Sequence, residues 1–132
     1  MFDMKIQYYE TPGIKSSLSG AKAVRVGNIL FISGIGPFDR QGNVVGKGNL
    51  RAQAVQAFEN MKTLVQAANA SMNDTIHMVT YLTCKPEDYY IIPETRKIYI
   101  EKDYPSASGV FITGLPHPDM MLVMDVVVAV QD

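Results

Sequence analysis

The sequence predicts an α+β domain, a mixed β-sheet with two helices packed on one face, and three observations carry that expectation. Apolar residues recur at helical spacing between Leu50 and Ala68. Thr75 to Thr83 and Met120 to Val130 are runs of β-forming residues, and a second helical stretch falls between them. A hairpin pattern precedes the first helix, so the chain reads strand, hairpin, helix, strand, helix, strand, strand. Its 132 residues suit a single domain, 1–132.

Each element has a local reason. Lys5 to Glu10 alternates weakly and stops at Thr11-Pro12-Gly13, a turn signal, which marks a short strand. Ala21 to Val26 alternates again and meets Gly27-Asn28 and then Ile29-Leu30-Phe31-Ile32. This reads as a hairpin, because Gly-Asn is a favoured two-residue turn pair. Asp39 to Asn49 holds Gly42, Gly46 and Gly48 around the apolar pair Val44-Val45, a loop carrying a short strand.

From Leu50 the period changes. Leu50, Ala54, Ala57, Phe58, Met61, Leu64, Val65 and Ala68 share one helical face, and Asn49 stands where a side-chain oxygen can cap the first turn. A second helix is expected roughly from Glu87 to Lys102. Proline is tolerated only in a first turn, so Pro93 sets the expected regular start near Pro93-Glu94. Val110 to Thr113 and Met120 to Val130 are the expected closing strands, and the last is nearly all apolar, as suits a strand covered on both faces. If helices cover one face, the apolar residues of the other call for an oligomer.

Composition narrows the function. The net charge is −1 and Lys and Arg are scattered, so no footprint for nucleic acid is present. No apolar run approaches the roughly 20 residues that span a bilayer, and the N-terminus lacks a basic region followed by an apolar core; the expectation is a cytoplasmic protein without a membrane partner. Cys84 is the one cysteine, His77 and His117 lie far apart, and no metal-ligand spacing occurs, so neither a metal nor another cofactor is expected.

The candidates for chemistry are few. Cys84 beside Lys85 is a candidate nucleophile, although a strand-end cysteine is more often a small packing residue. His117 is a candidate base in a proline-flanked loop, a setting that usually leaves a histidine exposed. Ser106 and Ser108 offer hydroxyls beside Gly109, which would let a ligand approach the backbone closely. Lys22, Arg25, Arg40 and Arg96 are the cations available to an anion, each more commonly a solvated charge. Tyr89 and Tyr90 are expected to divide between core and surface.

Three stretches of this sequence resemble the RidA/YjgF family, also labelled endoribonuclease L-PSP: Arg25 to Gly34, Ala52 to Ala68, and Pro105 to Pro116. Val79 to Thr83 and Asp88-Tyr89 fall in register between them. The resemblance implies a chorismate-mutase-like fold, a homotrimer, and a small-molecule metabolite bound between subunits. It places the ligand-binding positions at Gly20, Ser33, Gly34, Ile35, Pro93, Ala107, Ser108, Gly109 and Val123.

Family members of the deaminase type hydrolyse enamine or imine intermediates and grip the substrate carboxylate with an arginine, a contact hard to replace except by another well-placed donor. In this sequence that position is Ala107. The family's tyrosine falls on Gly20, its glutamate on Val123, its helical asparagine near Pro93 and its cysteine on Gly109, whereas Ser33, Gly34 and Ser108 match. Asp125 replaces the lost carboxylate only if the register of the last strand shifts. Small residues at Ala107, Gly109 and Gly20 imply a roomier, more apolar cleft. Two functions follow from the resemblance: a divergent homotrimer that binds a small metabolite and stays open to deaminase or hydrolase activity, or a non-enzymatic metabolite sensor or protein-interaction module. RNA cleavage has the least support in this slightly acidic chain.

Overall fold

The alternation of β6, Leu122–Ala129, organises the domain: Leu122, Met124, Val126 and Val128 are buried, while Val123, Asp125, Val127 and Ala129 are half-buried on the opposite face. We describe the protein from a computed structural model that covers residues 5–10, 22–102 and 104–131. Among these, β1 (Ile6–Glu10), β2 (Lys22–Val26), β3 (Ile29–Ile35), β4 (Thr75–Leu82), β5 (Ser106–Phe111) and β6 form one sheet in the order β1-β2-β3-β6-β4-β5. Only the β4–β5 pair is parallel. Helices α1 (Leu50–Ala67) and α2 (Ile91–Tyr99) cover the face that carries Leu30, Ile32, Met78, Leu82 and the even-numbered residues of β6.

The predicted mixed sheet, hairpin and two helices are present. Gly27 adopts φ +58°, the left-handed conformation that a tight two-residue turn needs, and Val26 pairs directly with Ile29. Asn49 caps α1, its Oδ1 accepting from the N–H of Ala52 at 3.0 Å. In the loop before α1 the expected short strand is a single bridge between Phe38 and Val44.

Two boundaries differ from expectation. α2 begins at Ile91, before Pro93, because Pro93 is the third helical residue and its missing N–H falls within the first turn, where no intrahelical partner waits. β5 begins at Ser106, not Val110. Ser106, Ala107, Ser108 and Gly109 have weak strand propensity and take the strand form by pairing with His77, Met78, Val79 and Thr80 of β4, a tertiary constraint that propensity does not register.

Two buried amides tie loops to α1. Gln53 is fully buried; its Nε2 donates to Asp119 O at 2.7 Å and Gly46 O at 3.3 Å, and its Oε1 accepts from Met121 N at 2.7 Å. Asn60 donates from Nδ2 to Gly36 O and Phe38 O at 2.9 and 2.8 Å. No helix among the described residues is long and apolar enough to cross a membrane. Gln53→Ala strands buried backbone groups on both loops, and we expect about 3 kcal/mol of lost stability, seen as a lower midpoint in urea denaturation.

Candidate functional site

The open face of the sheet carries its side chains in rows set by strand register. One row runs Tyr8, Val24, Phe31, Val127, His77 and Ser106 across all six strands. The next holds Lys22, Ser33, Asp125, Val79 and Ser108, and beyond it lie Val123, Tyr81 and Val110. The middle row is polar through the residues it holds, and a bulge falls in it: between Ile32 and Ile35 the pairing with β6 advances one residue too few, so Ser33 and Gly34 both stand against Asp125. Gly34 has φ +74°, and its N–H donates to Asp125 Oδ1 at 3.1 Å. Ser33 is exposed and Asp125 half-buried.

The positions implied by the family resemblance divide among three places. Ser33, Gly34, Ser108 and Val123 lie on the open face or at its bulge. Ala107 and Gly109 lie on the helix side of β5, the edge strand, in register with Met78 and Thr80, and Pro93 lies in the first turn of α2. Ile35 follows the bulge with its side chain fully buried in the core, where it packs and presents no surface to a ligand. Gly20 lies outside the described residues. Ser33 and Ser108 are separated by three inter-strand steps, about 14 Å, so a single copy does not bring its β3 and β5 groups onto one small ligand.

Asp125 needs no register shift to reach the open face: it shares that face with Val123, one residue pair away, and pairs with Val79. The expected roominess fails at Gly109. A Cβ built there would lie 2.8 Å from Oη and 2.7 Å from Cζ of Tyr89, so the Tyr89 ring already fills the space that a side chain at 109 would take. The same ring meets Phe111 edge-on, with centroids 6.1 Å apart. Glycine inside a strand was the sequence signal for this close approach, but it did not say that the approaching group belongs to the chain itself.

The other candidates have structural partners. His77 Nδ1 and Ser106 Oγ are 2.8 Å apart, and Ser106 Oγ donates to Ile76 O at 3.3 Å, which directs the hydroxyl proton to the backbone. His117 is half-buried, and its Nδ1 accepts from Asp119 N at 3.1 Å, closing the loop before β6. Tyr99 stacks on Phe58 at 5.2 Å, and burial followed by a hydrogen bond with Glu59 pushes its phenol up to about 12. Burial raises the Cys84 thiol above its ordinary value, and the carboxylates of Asp88 and Glu87 push in the same direction.

A six-stranded mixed sheet with two helices on one face, a bulge-held carboxylate on the other and a small-residue edge strand defines the class of small α+β sheet proteins with one open face. Within that class the chain belongs to the RidA/YjgF family: the sequence pattern of the family described as Endoribonuclease L-PSP matches residues 15–130. It is 32% identical over 96 residues to a RutC family protein of Pyrococcus horikoshii, covering 73% of this chain and 75% of that protein. It is 31% identical over 96 residues to the 2-iminobutanoate/2-iminopropanoate deaminase of Dermatophagoides farinae, covering 73% and 74%. The crystal structure of E. coli TdcF with bound serine superposes with a TM-score of 0.74 at 28% identity, over 83% of this chain and 86% of that one.

With its pKa raised, Cys84 holds less thiolate than a free cysteine at neutral pH. We expect iodoacetamide to alkylate it at pH 7.5 about 5-fold more slowly than free cysteine, and Asp88→Asn, which removes one of the raising charges, to speed the reaction.

Proposed function

We propose that the chain works as a homotrimer that binds a small metabolite in clefts between its copies and hydrolyses a C=N bond there. The observation that carries this reading is Asp125, a carboxylate on the open face with one oxygen fixed by the Gly34 N–H. Its other oxygen is then the group that orients water. The water oxygen bonds to the imine carbon while one proton passes by way of the carboxylate to nitrogen, giving a carbinolamine; its hydroxyl then yields the second proton through the same carboxylate to the amino group as the C–N bond breaks, leaving a carbonyl product and ammonia. Asp125 thus takes a role that Val123, on the same face, lacks the chemistry to fill.

Three further facts support the reading. The open face carries large apolar side chains outside the Asp125 row, with Tyr8, Phe31 and Val110 exposed by 63, 49 and 39%, the kind of surface that association covers. Ser33 and Ser108 are too far apart in one copy to share a small ligand, which favours a site assembled from two. Relatives include proteins named as deaminases of 2-iminobutanoate/2-iminopropanoate and of 3-aminoacrylate.

Ala107 favours a second reading, a metabolite sensor or protein-interaction module without catalysis, because the family resemblance places the carboxylate-gripping arginine of deaminase-type members at this position.

Keto-acid formation from freshly generated 2-aminocrotonate, measured on a sample whose mass is three times 14.6 kDa, tests the first reading. We expect acceleration, and a loss of about 10-fold or more in Asp125→Asn, which keeps an oxygen for Gly34 and removes the base. A confirmed trimer without acceleration transfers the assignment to the sensor. Phe31→Asp puts a charge into the apolar row, and light scattering is expected to show a shift toward monomer.

A further inference from the structure

β4 carries a second bulge, and it changes what the open face displays beside Asp125. Thr75 pairs with Val128 and His77 with Val127, so Ile76 is the extra residue. The effect shows in burial: Thr75 is buried on the helix side, and Ile76 and His77 are both exposed before Met78 returns to the core. From His77 onward strand parity holds, so His77 shares the open face with Val79, and Asp125 is the residue of β6 opposite Val79. His77 and Asp125 are therefore diagonal neighbours across β4 and β6, with Cβ atoms about 7 Å apart, a gap that a small molecule can bridge.

The hydrogen bonds of His77 fix which ring nitrogen is available. The Ser106 hydroxyl has one proton, and it goes to Ile76 O at 3.3 Å. The 2.8 Å contact between Ser106 Oγ and His77 Nδ1 then takes its proton from the imidazole, which makes the neutral ring the Nδ1–H tautomer. The lone pair is left on Nε2. Ser106 lies on β5, to one side of β4, and β6 lies to the other. Nδ1 is held toward β5, so Nε2, on the far side of the ring, is turned away from β5. Nε2 makes no hydrogen bond among the described residues. Asp125 is the charged group that faces the ring from β6; β5 presents Ser106 and Ser108, and Tyr81 stands on β4 beyond Val79.

We propose that His77 Nε2 accepts an N–H of the substrate's nitrogen and holds that nitrogen against Asp125. The assignment rests on the reading of the open face as a site of C=N hydrolysis. A carboxylate that passes both protons of water to one nitrogen must keep that nitrogen within hydrogen-bond reach through addition and cleavage. An acceptor fixed on the neighbouring strand does this without exchanging a proton itself. Its bond strengthens as the carbinolamine nitrogen takes its second proton and becomes cationic, so His77 favours the cleavage step over the bound imine. The same acceptor selects the substrate class: a C=N compound with hydrogen on nitrogen satisfies Nε2, and the carbonyl product has no such hydrogen to give.

Two variants separate the ring nitrogens. His77→Asn keeps an amide at the Nδ1 position for Ser106 and has nothing at Nε2, whereas His77→Gln places an amide oxygen near the Nε2 position. The test is steady-state hydrolysis of freshly generated 2-aminocrotonate by samples of confirmed trimeric mass. His77→Asn should lower kcat about 10-fold with a smaller change in KM, and His77→Gln should recover most of that loss. A merely structural role, carried by the Ser106 contact, predicts the reverse order. The unaltered protein supplies a readout that needs no variant: two-bond ¹H–¹⁵N spectra above neutral pH should show His77 as the Nδ1–H tautomer, and Ser106→Ala should mix the two tautomers. Full activity in a trimeric His77→Asn, or an Nε2–H tautomer in the unaltered protein, overturns the inference and leaves hydrolysis at Asp125 standing. A confirmed trimer that does not accelerate the reaction overturns both.

Discussion

Everything in this domain depends on a sheet whose central strand is apolar on both faces except at Asp125, while the described helices cover only one. Alternate residues of β6 point to opposite sides, so Met124 and Val126 seal the core under α1 and α2 while Val123 and Val127 face away from it. Burying one apolar side chain is worth about 1.5–3 kcal/mol, and the helical face collects that from both flanking strands as well as from β6. The other face carries Val123, Val127, Phe31 and Val79 beside its polar residues, and no helix among the described residues covers it. The uncovered apolar surface and the place of Asp125 on it are therefore consequences of one packing asymmetry.

The bulge at Ser33-Gly34 exploits that asymmetry. A regular β3–β6 ladder would continue its alternation without turning a backbone N–H toward a side chain on β6. The extra residue, and the positive φ that Gly34 supplies, direct that N–H to Asp125, which holds a carboxylate in place on an otherwise apolar surface. An anionic side chain on such a face is tolerable only while it is hydrated or hydrogen-bonded. If a neighbouring copy covers the row, the water retained by Asp125 is held where a ligand would meet it.

Much of the fold was legible because it rests on periodicity. The α1 pattern, the Gly27 hairpin and the Asn49 cap are local features, and each appears where its residues place it. The start of β5 was not legible, because Ser106 to Gly109 become a strand through a parallel partner almost thirty residues earlier. The start of α2 was misplaced for a different reason: Pro93 was assigned to the opening of the helix, yet a proline is equally acceptable two residues later in the same turn. At the site, strand parity in the sequence places Asp125 on the same side as Val123, but the bond to Gly34 exists only once the bulge forms. Tyr89 was hidden altogether, since its partner Gly109 has no side chain to advertise a contact.

That concealment has a wider consequence for reading departures from a motif. A strand that loses large side chains would leave a void, and protein interiors are close-packed, so a neighbouring element fills the space or the structure pays in lost contacts. Here the filling is visible at Gly109, where the Tyr89 ring stands in the volume of the absent side chain. The family resemblance along β5 alone sets Ala107 and Gly109 where it implies an arginine and a cysteine, and suggests a site stripped of chemistry. The three-dimensional account differs, because a glycine on the strand leaves room for a side chain from the turn that leads into α2, and the Tyr89 ring with its hydroxyl stands there. Chemistry near β5 belongs to the volume rather than to the strand, and at Gly109 that volume is filled by Tyr89 from the turn before α2, so the two segments must be read together.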